Sequence, residues 1–81
     1  MQTKIKAFAY LGEKLNHEVI VDLPLKVTKV TVLEAIKQQF PQYKAEISEC
    51  SVAINQSFIG KESYVMSDIA EIALIPPVSG G

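Results

Sequence analysis

Thr31-Val32-Leu33-Glu34-Ala35-Ile36-Lys37-Gln38-Gln39-Phe40-Pro41 is the stretch whose reading decides the fold. Thr31, followed three residues later by Glu34, fits a capping box: the hydroxyl accepts from an orphan amide of the first turn while the carboxylate reaches back. Leu33, Ile36 and Phe40 recur at helical spacing, which predicts a short amphipathic helix over residues 32–40. Pro41 stops it, because proline disfavours helical geometry in the residue before it.

The segments on either side are written in twos. Lys4, Lys6, Phe8 and Tyr10 alternate with Ile5, Ala7, Ala9 and Leu11, predicting a first strand over about residues 3–10. Residues 12–16 are polar and read as a turn. From His17 to Leu23 the alternation resumes with Val19, Val21 and Leu23 on one face, a second strand antiparallel to the first. Pro24 ends it. Beyond the helix, residues 42–49 are polar, with Tyr43 and Ile47 as anchors. Ser51 to Ile54 reads as a third strand, Asn55-Gln56 as a tight turn, and Phe58-Ile59 as a short return strand broken at Gly60. Glu71 to Ile75 is the last strand. The order implies an α+β fold: one mixed sheet with one main helix across one face. A crossover helix can join parallel neighbours, and the hairpins supply antiparallel ones.

Composition narrows the function. With 81 residues the chain fits one domain, too small for a deep enclosed active site. The hydrophobic fraction of 48% is that of a globular protein. Formal net charge is -1 with no basic tract, so nucleic acid is not an expected partner. No signal peptide or membrane span is readable. The single Cys50 has no disulfide partner within the chain, and a cytoplasmic location is expected.

The segment Pro76-Pro77-Val78-Ser79-Gly80-Gly81 carries the chemistry. Residues 1–75 read as the domain and residues 76–81 as an extended tail. Two prolines remove two backbone donors and fix φ near -65°, so the strand stops and the chain leaves the sheet stiff. At about 3.1–3.6 Å per residue the tail reaches roughly 20 Å. Gly80 and Gly81, with no side chains, can thread a narrow channel and present a bare carboxylate. That carboxylate is ionised at neutral pH, with a reference pKa of about 3.3–3.7, and is a poor acyl donor. Attack on ATP converts it to an acyl-adenylate from which a nucleophile displaces AMP. A role-free flexible terminus is the competing account of a Gly-Gly ending; the Pro-Pro spacer after an apolar strand favours the functional one. Ile72, Leu74 and Ile75, with Ala70, Ala73 and Val78, make that strand apolar on both faces. One face covers the helix, and a protein partner is expected on the other. A doubly covered central strand is the alternative.

Other candidates are weaker. Cys50 opens an apolar strand with no adjacent base to activate it, and reads as a small core hydrophobe. His17 has no second ligand near it in sequence, so no metal site is expected. Asp68, Glu71 and Glu62 form no acid–base pair, and Lys4, Lys6 and Lys14 are scattered solubilising charge.

Ala73-Leu74-Ile75-Pro76-Pro77-Val78-Ser79-Gly80-Gly81 is similar to the C-terminal signature of the molybdopterin synthase small-subunit family. Phe8-Ala9, Leu23-Pro24 and Ala53-Ile54-Asn55-Gln56 match that family's pattern in the same order, so the resemblance spans nearly the whole chain. It implies a β-grasp, ubiquitin-like fold and a sulfur carrier of molybdenum cofactor biosynthesis, working in a heterotetramer. By this resemblance an ATP-dependent adenylating enzyme activates Gly81, which becomes a thiocarboxylate. The tail then enters the large catalytic subunit, where its sulfur builds molybdopterin from cyclic pyranopterin monophosphate. Gly81 is the catalytic terminus and Gly80 gives access. Leu74, Ile75, Pro76, Pro77, Val78 and Ser79 are the expected partner contacts. No cofactor is expected beyond the covalent thiocarboxylate, and the chain alone is not an enzyme. Two places depart from the pattern: Gly12-Glu13 stands where the family has Arg-Glu, and Asp68-Ile69-Ala70-Glu71 where it has Asp-Gly-Asp-Glu. A thiamine or transfer-RNA sulfur carrier and a ubiquitin-like modifier joined to lysines are the alternative functions; a plain interaction domain with an inert tail is a third.

Overall fold

In the computed structural model, which describes residues 1–77, β1 (Gln2–Ala7) pairs antiparallel with β2 (Glu18–Asp22) from Gln2↔Asp22 to Lys6↔Glu18. Readings that fall on Val78, Ser79, Gly80 and Gly81 lie outside the described residues. Alternation sorts the two faces: Ile5, Ala7, Val19 and Val21 are buried, while Lys4, Lys6, Glu18, Ile20 and Asp22 are exposed. β3 (Lys26–Val27) leads into α2 (Lys29–Gln39), preceded in the chain by a shorter α1 (Ala9–Lys14). A turn at Pro41–Tyr43 and α3 (Lys44–Ser48) return the chain to β4 (Ser51–Ile54), β5 (Ser57–Phe58), β6 (Tyr64–Val65) and β7 (Ile72–Ile75).

The main sheet has the order β2-β1-β7-β4-β5, with β7 parallel to β1 and antiparallel to β4. β3 and β6 form a separate two-stranded sheet. The last strand is thus inserted at the centre, between the first and the fourth. This is the β-grasp arrangement: a mixed sheet with the main helix across one face. Val32, Leu33 and Ile36 of α2 are buried, in one core with Ile5, Val21, Val52, Ile72 and Leu74. Phe40 is partly buried at its edge.

Three local readings need correction. The first strand stops at Ala7, not near Tyr10. Phe8 remains extended, and Ala9 then turns at φ 56 into α1. The residues expected to form a polar turn are mostly this helix. Leu11 within it and Leu15 at its C-cap, four apart and both fully buried, hold it to the core. The apolar Ala7, Ala9 and Leu11 had mimicked a strand period. The helix cap is one turn earlier than expected. Thr28 is the N-cap, its hydroxyl accepting from the Thr31 N–H at 3.2 Å while the Thr31 hydroxyl accepts from the Thr28 N–H at 2.9 Å. Thr31 thereby fills the reciprocal role assigned to Glu34, which instead lies 3.6 Å from Lys37. Residues 44–48, read only as a polar segment, are helical, and Ile47 anchors α3 in the core as expected.

Both departures from the family pattern have a physical setting. A Cβ on Gly12 meets the Ala7 carbonyl oxygen at 2.7 Å, so α1 folds back on the end of β1 more closely than a side chain permits. Gly12→Ala should cost about 1–3 kcal/mol in forced shifts, offset by up to ~1 kcal/mol of helix propensity. The expected result is a melting temperature lower by several degrees. An unchanged or higher melt would show that the end of β1 yields freely. At the second departure, the Asn55 side chain holds the turn before β7. Its Oδ1 accepts from the N–H groups of Ala70 (2.7 Å) and Glu71 (3.1 Å), and its Nδ2 donates to the Asp68 carbonyl at 3.0 Å. Asn55 and Gln56 have φ of 52° and 70°, as a two-residue β4–β5 hairpin requires.

Candidate functional site

β7 is the element from which the tail departs, so its two faces decide what a partner meets. Ile72 and Leu74 point into the core; Leu74 is 0% exposed, opposite Ala7 on one side and Val52 on the other. Leu74 was expected among the partner contacts, but in the folded chain its side chain is enclosed. Ile75, of opposite parity, is partly exposed. Ala73, between Lys6 and Ala53, is nearly closed over. Pro76 is buried and Pro77 exposed, so packing continues one residue past the expected domain boundary. Val78, Ser79, Gly80 and Gly81 lie outside the described residues.

Across the outer face the register sets Glu18, Lys6, Ala73, Ala53 and Phe58 in one row. Phe58 at one end is 68% exposed, and Phe8, which follows Lys6 on the outward parity, is 48% exposed. The Phe8 N–H donates to the Leu74 carbonyl at 3.2 Å, so Phe8 flanks the last residues of β7 before the prolines. The sequence reading quoted Phe8 in the family pattern and Phe58 in a return strand but gave neither a partner contact. The available signal was an aromatic in the polar register of β1, after Lys4 and Lys6. Charge is organised on this face too: Lys6 Nζ is 2.7 Å from Glu71, which raises the lysine's pKa by hydrogen bond and charge, and Lys4 lies 3.7 Å from Glu18. The surface is an apolar strip rimmed by paired charges, leading to the tail.

Cys50 is buried, its thiol donating to the Glu46 carbonyl at 3.3 Å. Burial, with Glu49 adding its negative charge, pushes the thiol up to about 11. At neutral pH it is a protonated side chain with little thiolate to act as a nucleophile. His17 is exposed at a turn, at φ 66. Among the described residues no three of His, Cys, Asp and Glu gather as metal ligands, and no helix is long and apolar enough to cross a membrane.

A solved structure, SAMP1 from Haloferax volcanii, superposes with a TM-score of 0.77 at 26% identity over 100% of both chains. The molybdopterin synthase sulfur carrier subunit of Dictyostelium discoideum is 34% identical over 83 aligned positions, covering 99% of this chain and 96% of that protein. The family model described as ThiS matches residues 5–81, which include the whole of β7 and the tail. The chain therefore belongs to the ThiS family.

Proposed function

We propose that this chain is the sulfur carrier subunit of a molybdopterin synthase, with Gly81 as the atom-carrying terminus. The observation that carries the reading is its 34% identity to the Dictyostelium discoideum sulfur carrier over nearly the full length of both chains. The geometry supports it: the tail follows the central strand of the five-stranded sheet, with Pro76 packed against the domain, and an apolar strip at its root. The Gly81 carboxylate attacks ATP in an adenylating partner, giving an acyl-adenylate and pyrophosphate. A sulfur nucleophile then displaces AMP to leave a thiocarboxylate. The tail, with Pro77, Val78, Ser79 and Gly80, is threaded into the large catalytic subunit, where the sulfur passes to cyclic pyranopterin monophosphate. The outer-face strip with Phe8, Ile75 and Phe58 docks on that subunit. The chain supplies the sulfur and no catalytic group, binds no cofactor of its own, and works in the cytoplasm.

The family match also suits a sulfur carrier of thiamine or transfer-RNA thiolation, and a ubiquitin-like modifier uses the same activation. These differ in the acceptor. The test is incubation with ATP, an adenylating enzyme and a sulfur source, followed by intact mass measurement. The mass should rise by the exchange of one oxygen for sulfur, and Cys50→Ala should show the same gain. The loaded chain should then yield molybdopterin with the large subunit. Loss of the mass gain in Cys50→Ala would move the sulfur to the thiol; stable lysine conjugates without molybdopterin would favour the modifier.

A further inference from the structure

A groove of about 450 Å³ lies between the first turn of α2 and the loop after β5, lined by Thr28, Lys29, Val30, Gly60 and Lys61. None of these side chains is acidic. β3 runs directly into it, and the β3–β6 pair adds Lys26 beside Val65. The Met66 N–H donates to the Leu25 carbonyl at 2.8 Å, which sets Leu25 next to that pair. Leu25, Val30 and Val65 are 71%, 67% and 55% exposed.

The charge at this corner is mostly positive, from Lys29 and Lys61 in the groove and Lys26 beside it. The ion pairs among the described residues engage Lys4, Lys6 and Lys37 and leave out Lys26, Lys29 and Lys61, as they do Lys14 and Lys44. Glu62, the nearest acid in sequence, has its carboxylate accepting from the Gly60 N–H at 2.7 Å, which sets one negative charge at the groove against the lysines. Three lysines outside the ion pairs of the described residues, against one glutamate, thus leave this corner of a chain of net charge -1 positive, with Val30 in the groove between them. The α2 amides do not form the feature, since the Thr31 N–H is already taken by Thr28.

We propose that this corner is a second docking surface, separate from the tail and the outer face of the sheet, which takes an acidic protein segment bearing aliphatic side chains. The aliphatic residues of that segment lie on Leu25, Val30 and Val65, while its carboxylates meet Lys26, Lys29 and Lys61. Charge complementarity chooses the partner's sign. No aromatic lines the groove, so it offers no stacking platform for a nucleic acid strand. The inference goes beyond the carrier reading and does not depend on it. A carrier held here keeps its tail free.

The test is titration of isotope-labelled full-length chain with a short synthetic peptide of glutamates and leucines, followed by amide NMR shifts. Shifts are expected at residues 25–30, 60–61 and 65, with Phe8 and Ile75 unmoved. Lys29→Glu/Lys61→Glu should weaken binding about tenfold, because several modest exposed pairs turn repulsive together. Val30→Ser should weaken it through the apolar part, and the peptide with glutamine in place of glutamate should bind poorly. A chain lacking residues 78–81 should bind unchanged, which keeps this result separate from the tail chemistry. Shifts elsewhere or none, equal affinity in the double variant, or tighter binding to heparin or phosphatidylserine vesicles than to the peptide would each overturn the proposal.

Discussion

Leu74→Asp is expected to leave no folded protein at room temperature, seen as loss of the far-UV signal of the sheet and of dispersed amide resonances. Leu74 is fully enclosed on the central strand, between Ala7 of β1 and Val52 of β4. The substitution removes roughly 2–3 kcal/mol of apolar burial and sets a carboxylate where no partner exists, costing several kcal/mol more. A domain of this size holds only about 5–15 kcal/mol in all, at the low end for a small core. Ile75→Asp is the paired control. Its side chain faces the other way and is partly exposed, so the variant should fold and instead lose affinity for the large subunit. A Leu74→Asp protein with a sharp native melt would mean that β7 sits one residue out of register, since a single step exchanges the two faces.

The sequence reading of β7 shows what could and could not be read in advance. An apolar strand following a crossover helix pointed to a mixed sheet, and the strand, hairpin and helix near residues 32–40 are all found. Which residues of β7 face inward was not readable, because Ile72, Ala73, Leu74 and Ile75 are all apolar and have no parity of their own. Pairing decides it: the antiparallel register on β4 and the parallel register on β1 both set Leu74 opposite buried residues. The β3–β6 sheet was missed because two-residue strands leave no period to detect. The Thr28 cap lost to Thr31 in the sequence because Thr-x-x-Glu is the commoner capping pattern, whereas the reciprocal partner here is a second threonine. Asn55 could be placed in a turn by residue type, but its clasp on the loop before β7 joins residues 13 to 16 positions apart and is visible only in three dimensions.

Deleting Gly81 is expected to abolish productive sulfur transfer while leaving the thermal melt unchanged. Among the described residues the packing of the last strand reaches Pro76, which is buried, while Pro77 is exposed. Removing a residue four positions further on takes nothing from that packing. The chemistry responds otherwise, because the acyl carbon retreats by about 3.3–3.6 Å, one extended residue. A reacting atom misplaced by ~1 Å can already cost about a hundredfold. The shortened chain also ends in Gly80, so the steric openness of the terminus is kept and only its reach changes. Adding a glycine after Gly81 tests the same point from the other side and should fail as well. Full transfer by the deleted chain, measured as molybdopterin formed with the large subunit, would show that reach does not govern the reaction. A lowered melt would show that the tail packs on its own domain, leaving it less free to enter a partner.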